Sequence, residues 1–236
     1  MPPHSGGILA SILNHEHRVG MRPVAALLSG LAAVPLLAGA ALAHPHVMVD
    51  ASAEIVYEGG RIVAVDHVWR FDEAFSAFAA QGLDTDGDGL LSREELQPLA
   101  EVNVTSLHEF DFFTFMETGG TSLAFAAPRD YWLEDDEGIL VLHYTLPLAE
   151  PLETAQPVSL DVYDPEYFVA FSLIEDEPVR LAGAPAGCSL DVARAEQLDF
   201  GSASLLAQIP PEMRELPEEL ATLTQDLSNR VTVACP

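Results

Sequence analysis

Residues 46–57 read HVMVDASAEIVY and residues 62–71 read IVAVDHVWRF. In the first run Val47, Val49, Ala51, Ala53, Ile55 and Tyr57 alternate with His46, Met48, Asp50, Ser52 and Glu54. Successive side chains of an extended chain point to opposite faces. A period of two therefore predicts a strand with one apolar face and one wet face. The second run puts Val63, Val65, His67, Trp69 and Phe71 on one side. Glu58-Gly59-Gly60-Arg61 lies between them, with glycines free to take the positive φ of a tight hairpin turn. The chain thus opens as a β-hairpin.

Beyond the hairpin the period changes. Phe71, Phe75, Phe78, Ala79 and Leu83 fit one short amphipathic helix; Leu96, Leu99, Ala100, Asn103, Val104 and Leu107 fit a second. Strand patterns return from about Phe112. FFTFME and TSLAFA flank Gly119-Gly120, and ILVLHYTL, PVSLDVY and EYFVAFSLIE follow between Pro, Gly and acidic clusters. Pro217-Glu218-Glu219-Leu220 has proline and acids where a helix begins, which predicts a C-terminal helix to about Arg230. The expected fold is mainly β (α+β): an antiparallel sheet or sandwich with an EF-hand-like insertion at about 72–110 and a C-terminal helix.

The insertion carries the most specific local motif. Asp84-Thr85-Asp86-Gly87-Asp88-Gly89-Leu90-Leu91-Ser92-Arg93-Glu94-Glu95 matches a twelve-residue calcium loop. Asp84, Asp86 and Asp88 stand at positions 1, 3 and 5, and Gly89 makes the turn. Leu90 offers its carbonyl, Ser92 acts through water, and Glu95 closes the loop as a two-oxygen ligand. Calcium is a hard ion that takes six to eight oxygens, which this pattern supplies. A single loop of this kind is expected to brace the fold rather than sense calcium.

Upstream, residues 21–43 read MRPVAALLSGLAAVPLLAGAALA. Arg22, the apolar run and the small residues Ala41 and Ala43 predict a cleaved export signal over residues 1–43, with Met21 a candidate start. Residues 44–236 then form a single mature β-rich domain, expected in the periplasm without direct membrane insertion. The formal charge of −27, from 37 acids against 10 bases that are all arginine, argues against nucleic acid and anionic lipid as partners. Cys188 and Cys235 are the two cysteines; in an exported chain they predict one disulfide tethering segment 188–236.

Cleavage after Ala43 would leave His44 with a free α-amine and His46 two residues later. Amine and imidazole both lose protons near neutral pH and bind divalent transition metals. Pro45 has no amide proton to lose, so a square-planar four-nitrogen chelate is disfavoured. Asp50 and His67 are further candidate ligands, although each two-residue step along a strand is ~6.5–7 Å. For His67, His108 and His143 a structural role competes with a ligand role.

The runs HPHVMVD, VDHVWRFDEAFS, LDTDGDGLLSREEL, FDFFTFME and VYDPEYFVAFSLIEDEPVRLAGAPAGC, taken in order, resemble an exported bacterial family of unknown function. That family is described as the periplasmic component of an uncharacterised ABC-type transport system and is commonly encoded beside nickel/cobalt/zinc permeases. The resemblance implies a non-enzymatic accessory that binds Zn²⁺, Ni²⁺ or Co²⁺ for an inner-membrane permease. It marks His44, His46, the Trp69-to-Glu73 run and Tyr163-Asp164-Pro165 as motif positions. Two other readings compete. One is a copper monooxygenase with an N-terminal histidine brace completed by His67 or His143; the other is a calcium-stabilised protein-interaction module.

Overall fold

The computed structural model describes residues 47–153, 155–195 and 228–236. The expected export signal, His44, His46 and the helix expected from Pro217 therefore lie outside the described residues.

The opening hairpin is present as β1 (Val47–Glu58) and β2 (Arg61–Phe71), paired antiparallel from Val49↔Phe71 to Glu58↔Arg61. The predicted alternation holds: the odd-numbered residues of β1 are buried and the even ones are partly or fully exposed. After α1 (Glu73–Ala79) and α2 (Arg93–Ser106), a 3₁₀ run at Leu107–Phe113 leads into the remaining strands. These are β3 (Thr114–Thr118), β4 (Thr121–Ser122), β5 (Arg129–Asp136), β6 (Ile139–Glu153) and β7 (Val158–Val162). Then come β8 (Val169–Leu173), β9 (Val179–Ala182), β10 (Ser189–Ala193) and β11 (Asn229–Ala234).

Two sheets result. One has the order β5-β6-β2-β1-β8, with β9 also on β1; the other has the order β10-β11-β7-β3-β4. The expectation of an antiparallel sheet is corrected in one respect. β8 and β9 both run parallel to β1, at Val47↔Val169 and Ala53↔Val179. Two short strands along one long strand need a break between them, and Pro178 at the junction suits an edge position. The predicted Arg230 helix end is also corrected, because Asn229 and Arg230 already belong to β11.

The inward faces of both sheets share one core. Trp69 at its centre meets Phe171 at 5.0 Å, Tyr144 at 5.1 Å and Phe113 at 6.3 Å between ring centroids. α2 packs along β5, the outer strand of its sheet, burying Leu96, Leu99, Ala100 and Val104 in the same core. A covered edge cannot template pairing with another chain. Cys188 and Cys235 form a disulfide beside the β10–β11 pair, which fits an extracytoplasmic chain. No helix among the described residues is long and apolar enough to cross a membrane.

Candidate metal centre

Asp72 sets up the first half of the loop region. Its Oδ1 accepts the Phe75 amide at 2.9 Å and so caps α1, while Oδ2 accepts the Met48 amide at 2.8 Å. The Asp72 amide in turn donates to the Met48 carbonyl at 3.0 Å, a reciprocal clamp between the start of β1 and the start of α1. α1 ends at Ala79, and a turn carries the chain to Asp84. An EF-hand entering helix runs directly into its loop; here the loop and the exit helix match that pattern and the entry helix does not reach it.

Within the loop the carboxylates point inward. Asp84 accepts the Gly87 amide at 2.7 Å and the Gly89 amide at 3.0 Å; Asp86 accepts from Asp88, and Asp88 from Leu90. Gly89 takes φ +85°, a conformation that side chains rarely adopt. One carboxylate oxygen from each of Asp84, Asp86 and Asp88 falls within 4.8 Å of the others. These are hard donors at a separation one hard cation can span, so the donor set fits calcium.

Glu95 stands apart from that trio. It lies in the first turn of α2, where Ser92 and Glu95 form a reciprocal capping box. One oxygen accepts the Thr85 amide at 2.6 Å and the Thr85 hydroxyl at 2.8 Å; the other accepts from the Ser92 amide and hydroxyl. These bonds, led by those to the Ser92 and Thr85 amides, lower its pKa to about 2. In this geometry Glu95 ties the two ends of the loop together. Chelating an ion with both oxygens would require it to release donors. Leu90 is exposed, and the Ser92 hydroxyl is committed to the cap.

The transition-metal candidates do not come together. Asp50 lies on the outward face of β1, opposite Arg70. His67 lies on the inward face of β2, only 1% exposed, stacked on Tyr144 at 4.8 Å. The two residues face opposite sides of one sheet and cannot share an ion. Thr114 donates its hydroxyl hydrogen to the Phe112 carbonyl at 2.9 Å, so its oxygen accepts from His67 Nε2 at 3.3 Å. That fixes the Nε2–H tautomer. Burial holds the imidazole neutral by lowering its pKa to about 3. His143 stacks on Trp132 at 4.6 Å and meets Glu134 at 3.1 Å, while the Arg93 guanidinium lies 4.4 Å from the Trp132 ring centre. His108 Nδ1 lies 2.8 Å from the Thr105 carbonyl. Each described histidine thus has a structural contact.

A second feature lies on the outward face of the other sheet. Phe115, Asp161 and Arg230 are adjacent across β3, β7 and β11, and the Arg230 Nε donates to Asp161 at 2.8 Å. Burial pushes the Asp161 carboxyl up despite that partner. With Phe112, Phe125 and Tyr163 these residues line a cleft of about 1020 Å³. Its rim includes Asp111 and Phe112, which with Phe113 take φ of 49°, 56° and 49°. Sequence patterning marks FDFFTFME and VYDP as separate runs. Their meeting depends on strand order, which alternation does not encode. The Tyr163 amide binds the Phe113 carbonyl at 3.2 Å and closes the two runs onto one another.

A family model matches residues 30–235 of the chain. The chain belongs to the DUF1007 family, whose description is a protein of unknown function. The match spans both sheets, the acidic loop and the disulfide, so the family unit includes every site described above. Comparison with curated proteins gave no match.

Proposed function

We propose that the protein is a periplasmic accessory of a transition-metal transport system, capturing a divalent ion such as zinc, nickel or cobalt near His44 and His46. The observation that carries this reading is the start of β1. Two histidines precede it in sequence, and the Met48–Asp72 clamp fixes the strand that follows them. Imidazoles at the head of a fixed strand suit an exchangeable site, which delivery to a permease requires. The ordered resemblance to an exported family encoded beside metal permeases supports the partner. A calcium ion at Asp84, Asp86 and Asp88 would brace the insertion in this reading.

Native mass spectrometry with Zn²⁺, Ni²⁺ and Ca²⁺ tests it. A start at His44, one bound transition metal lost in the His44→Ala/His46→Ala variant, and a calcium retained by that variant are the expected results. A wild-type protein that takes up no transition metal would refute the reading. The histidine-brace monooxygenase loses support, because His67 is buried in the core and His143 is held by Trp132 and Glu134. The cleft at Phe115, Asp161 and Tyr163 favours a second reading, a protein-interaction module; retention of a permease fragment without metal, abolished by Phe115→Ala, would support it.

A further inference from the structure

Two aromatic pairs line the cleft on the outward face of the β10-β11-β7-β3-β4 sheet. Phe115 and Tyr163 lie 4.9 Å apart between ring centroids, and Phe112 meets Phe125 edge to face at 6.3 Å. All four rings are only partly buried, although aromatic side chains gain most from full enclosure. The backbone holds Phe112 there against its own preference. Asp111, Phe112 and Phe113 take the left-handed conformation in succession, which bulky residues avoid. The Thr114 hydroxyl on the Phe112 carbonyl and the Tyr163 amide on the Phe113 carbonyl keep the run in place. At about 1020 Å³ the cleft has room for a short peptide segment.

Its charges are unequally committed. Arg194 donates its two terminal nitrogens to the Leu173 and Glu175 carbonyls, and Arg230 donates its Nε to Asp161. Two further lining carboxylates, Asp111 and Glu117, have no arginine partner among the described residues. Glu117 stands two residues from Phe115 on β3 and so shares its face. Its Oε1 accepts the Ser122 hydroxyl at 3.1 Å, a neutral partner that leaves the negative charge in place. That charge reaches across the cleft. The bond and charge of Asp161 lead in holding the Arg230 guanidinium above its ordinary pKa, and Glu117 adds to them. An incoming anion would meet committed arginines and uncompensated carboxylates, in a chain whose net charge is −27. An incoming cation meets those carboxylates and the faces of aromatic rings. Guanidinium suits both, because its plane stacks on a ring while its edge forks to a carboxylate.

We infer that this cleft docks an arginine-bearing segment of a partner protein, its guanidinium received by the aromatic rings and the carboxylates that lack an arginine. The inference rests on the reading of the cleft as a protein-interaction surface. It is tested by retention of pentapeptide pools on the immobilised full protein at about 0.15 M salt, where long-range attraction is screened. The pools are randomised except for a central arginine, citrulline, glutamate or leucine; citrulline keeps the shape of arginine without its charge. The arginine pool is expected to be retained about tenfold more than the citrulline pool, the scale of a charge-assisted contact. Asp111→Asn/Glu117→Gln should reduce it to the citrulline level, and asparagine tolerates the left-handed conformation at 111. Glu58→Gln/Glu101→Gln removes the same charge from two exposed acids outside the cleft and should leave retention unchanged. Unchanged thermal unfolding of each variant verifies the fold. Equal retention of the arginine and citrulline pools, an arginine preference that survives Asp111→Asn/Glu117→Gln, or an equal loss in both double variants overturns the arginine inference. The interaction reading still stands in those cases if Phe115→Ala abolishes retention. A wild type that retains no pool, or retention that Phe115→Ala leaves undiminished, overturns both.

Discussion

His67 is the residue whose protonation most directly opposes the fold. Its folded pKa of about 3 lies below the ordinary value of 6.5, so the unfolded chain binds the extra proton first as pH falls. The stabilising contribution of the neutral ring is complete above 6.5 and declines as pH drops from there toward 3. The slope is about 1.4 kcal/mol per pH unit for one proton. Urea unfolding at pH 7, 6 and 5 should show stability falling in wild type. His67→Phe, which keeps an aromatic ring against Tyr144, should flatten that fall, and an unchanged slope would refute the assignment. Alternation in the sequence placed His67 on the apolar face beside Trp69, where a core role was expected, but not the partners that enclose it. That enclosure depends on Tyr144, Thr114 and Phe113, residues 46–77 positions later in the chain that share no local pattern with it.

Elements carry the calcium prediction. With affinities of 10⁻⁴–10⁻³ M for loops of this class, 10 mM calcium should stabilise the protein by about 1.4–2.7 kcal/mol. Calorimetry should register this as a rise in Tm that Asp84→Ala/Asp86→Ala removes. Ser92→Ala should lower stability by about 1 kcal/mol without calcium, because it deletes the cap of α2. The loop and its exit helix were legible because each ligand position is a fixed offset in sequence. The dual duty of Glu95, and the turn that separates α1 from Asp84, were not. They depend on how α1 is held by Asp72 and on the Ser76 hydroxyl accepting the Leu140 amide across the fold at 3.0 Å. Likewise the period of β1 announced a strand, while its parallel partners β8 and β9 follow from chain reversals more than a hundred residues away.

At the scale of the whole molecule, the covalent cross-link lies within one sheet, beside the β10–β11 pair. The Cys188–Cys235 bond closes a span of 47 residues, and the loop-entropy relation gives about 4 kcal/mol for that length. The Cys188→Ser/Cys235→Ser variant should therefore unfold at lower denaturant concentration, with a larger m-value because its unfolded chain is less compact, and an unaltered midpoint would refute this contribution. The pairing was legible because an exported chain with two cysteines has one economical use for them. The sheet order was not. β11 is the latest-made of the described strands, yet it lies between β10 and β7 rather than at an edge. Until Asn229–Ala234 emerges, β7 has one unpaired edge, the side on which Val231 and Val233 flank Leu160 and Val158. A chain that emerges N-terminus first therefore cannot complete this sheet until the last of the described strands has appeared.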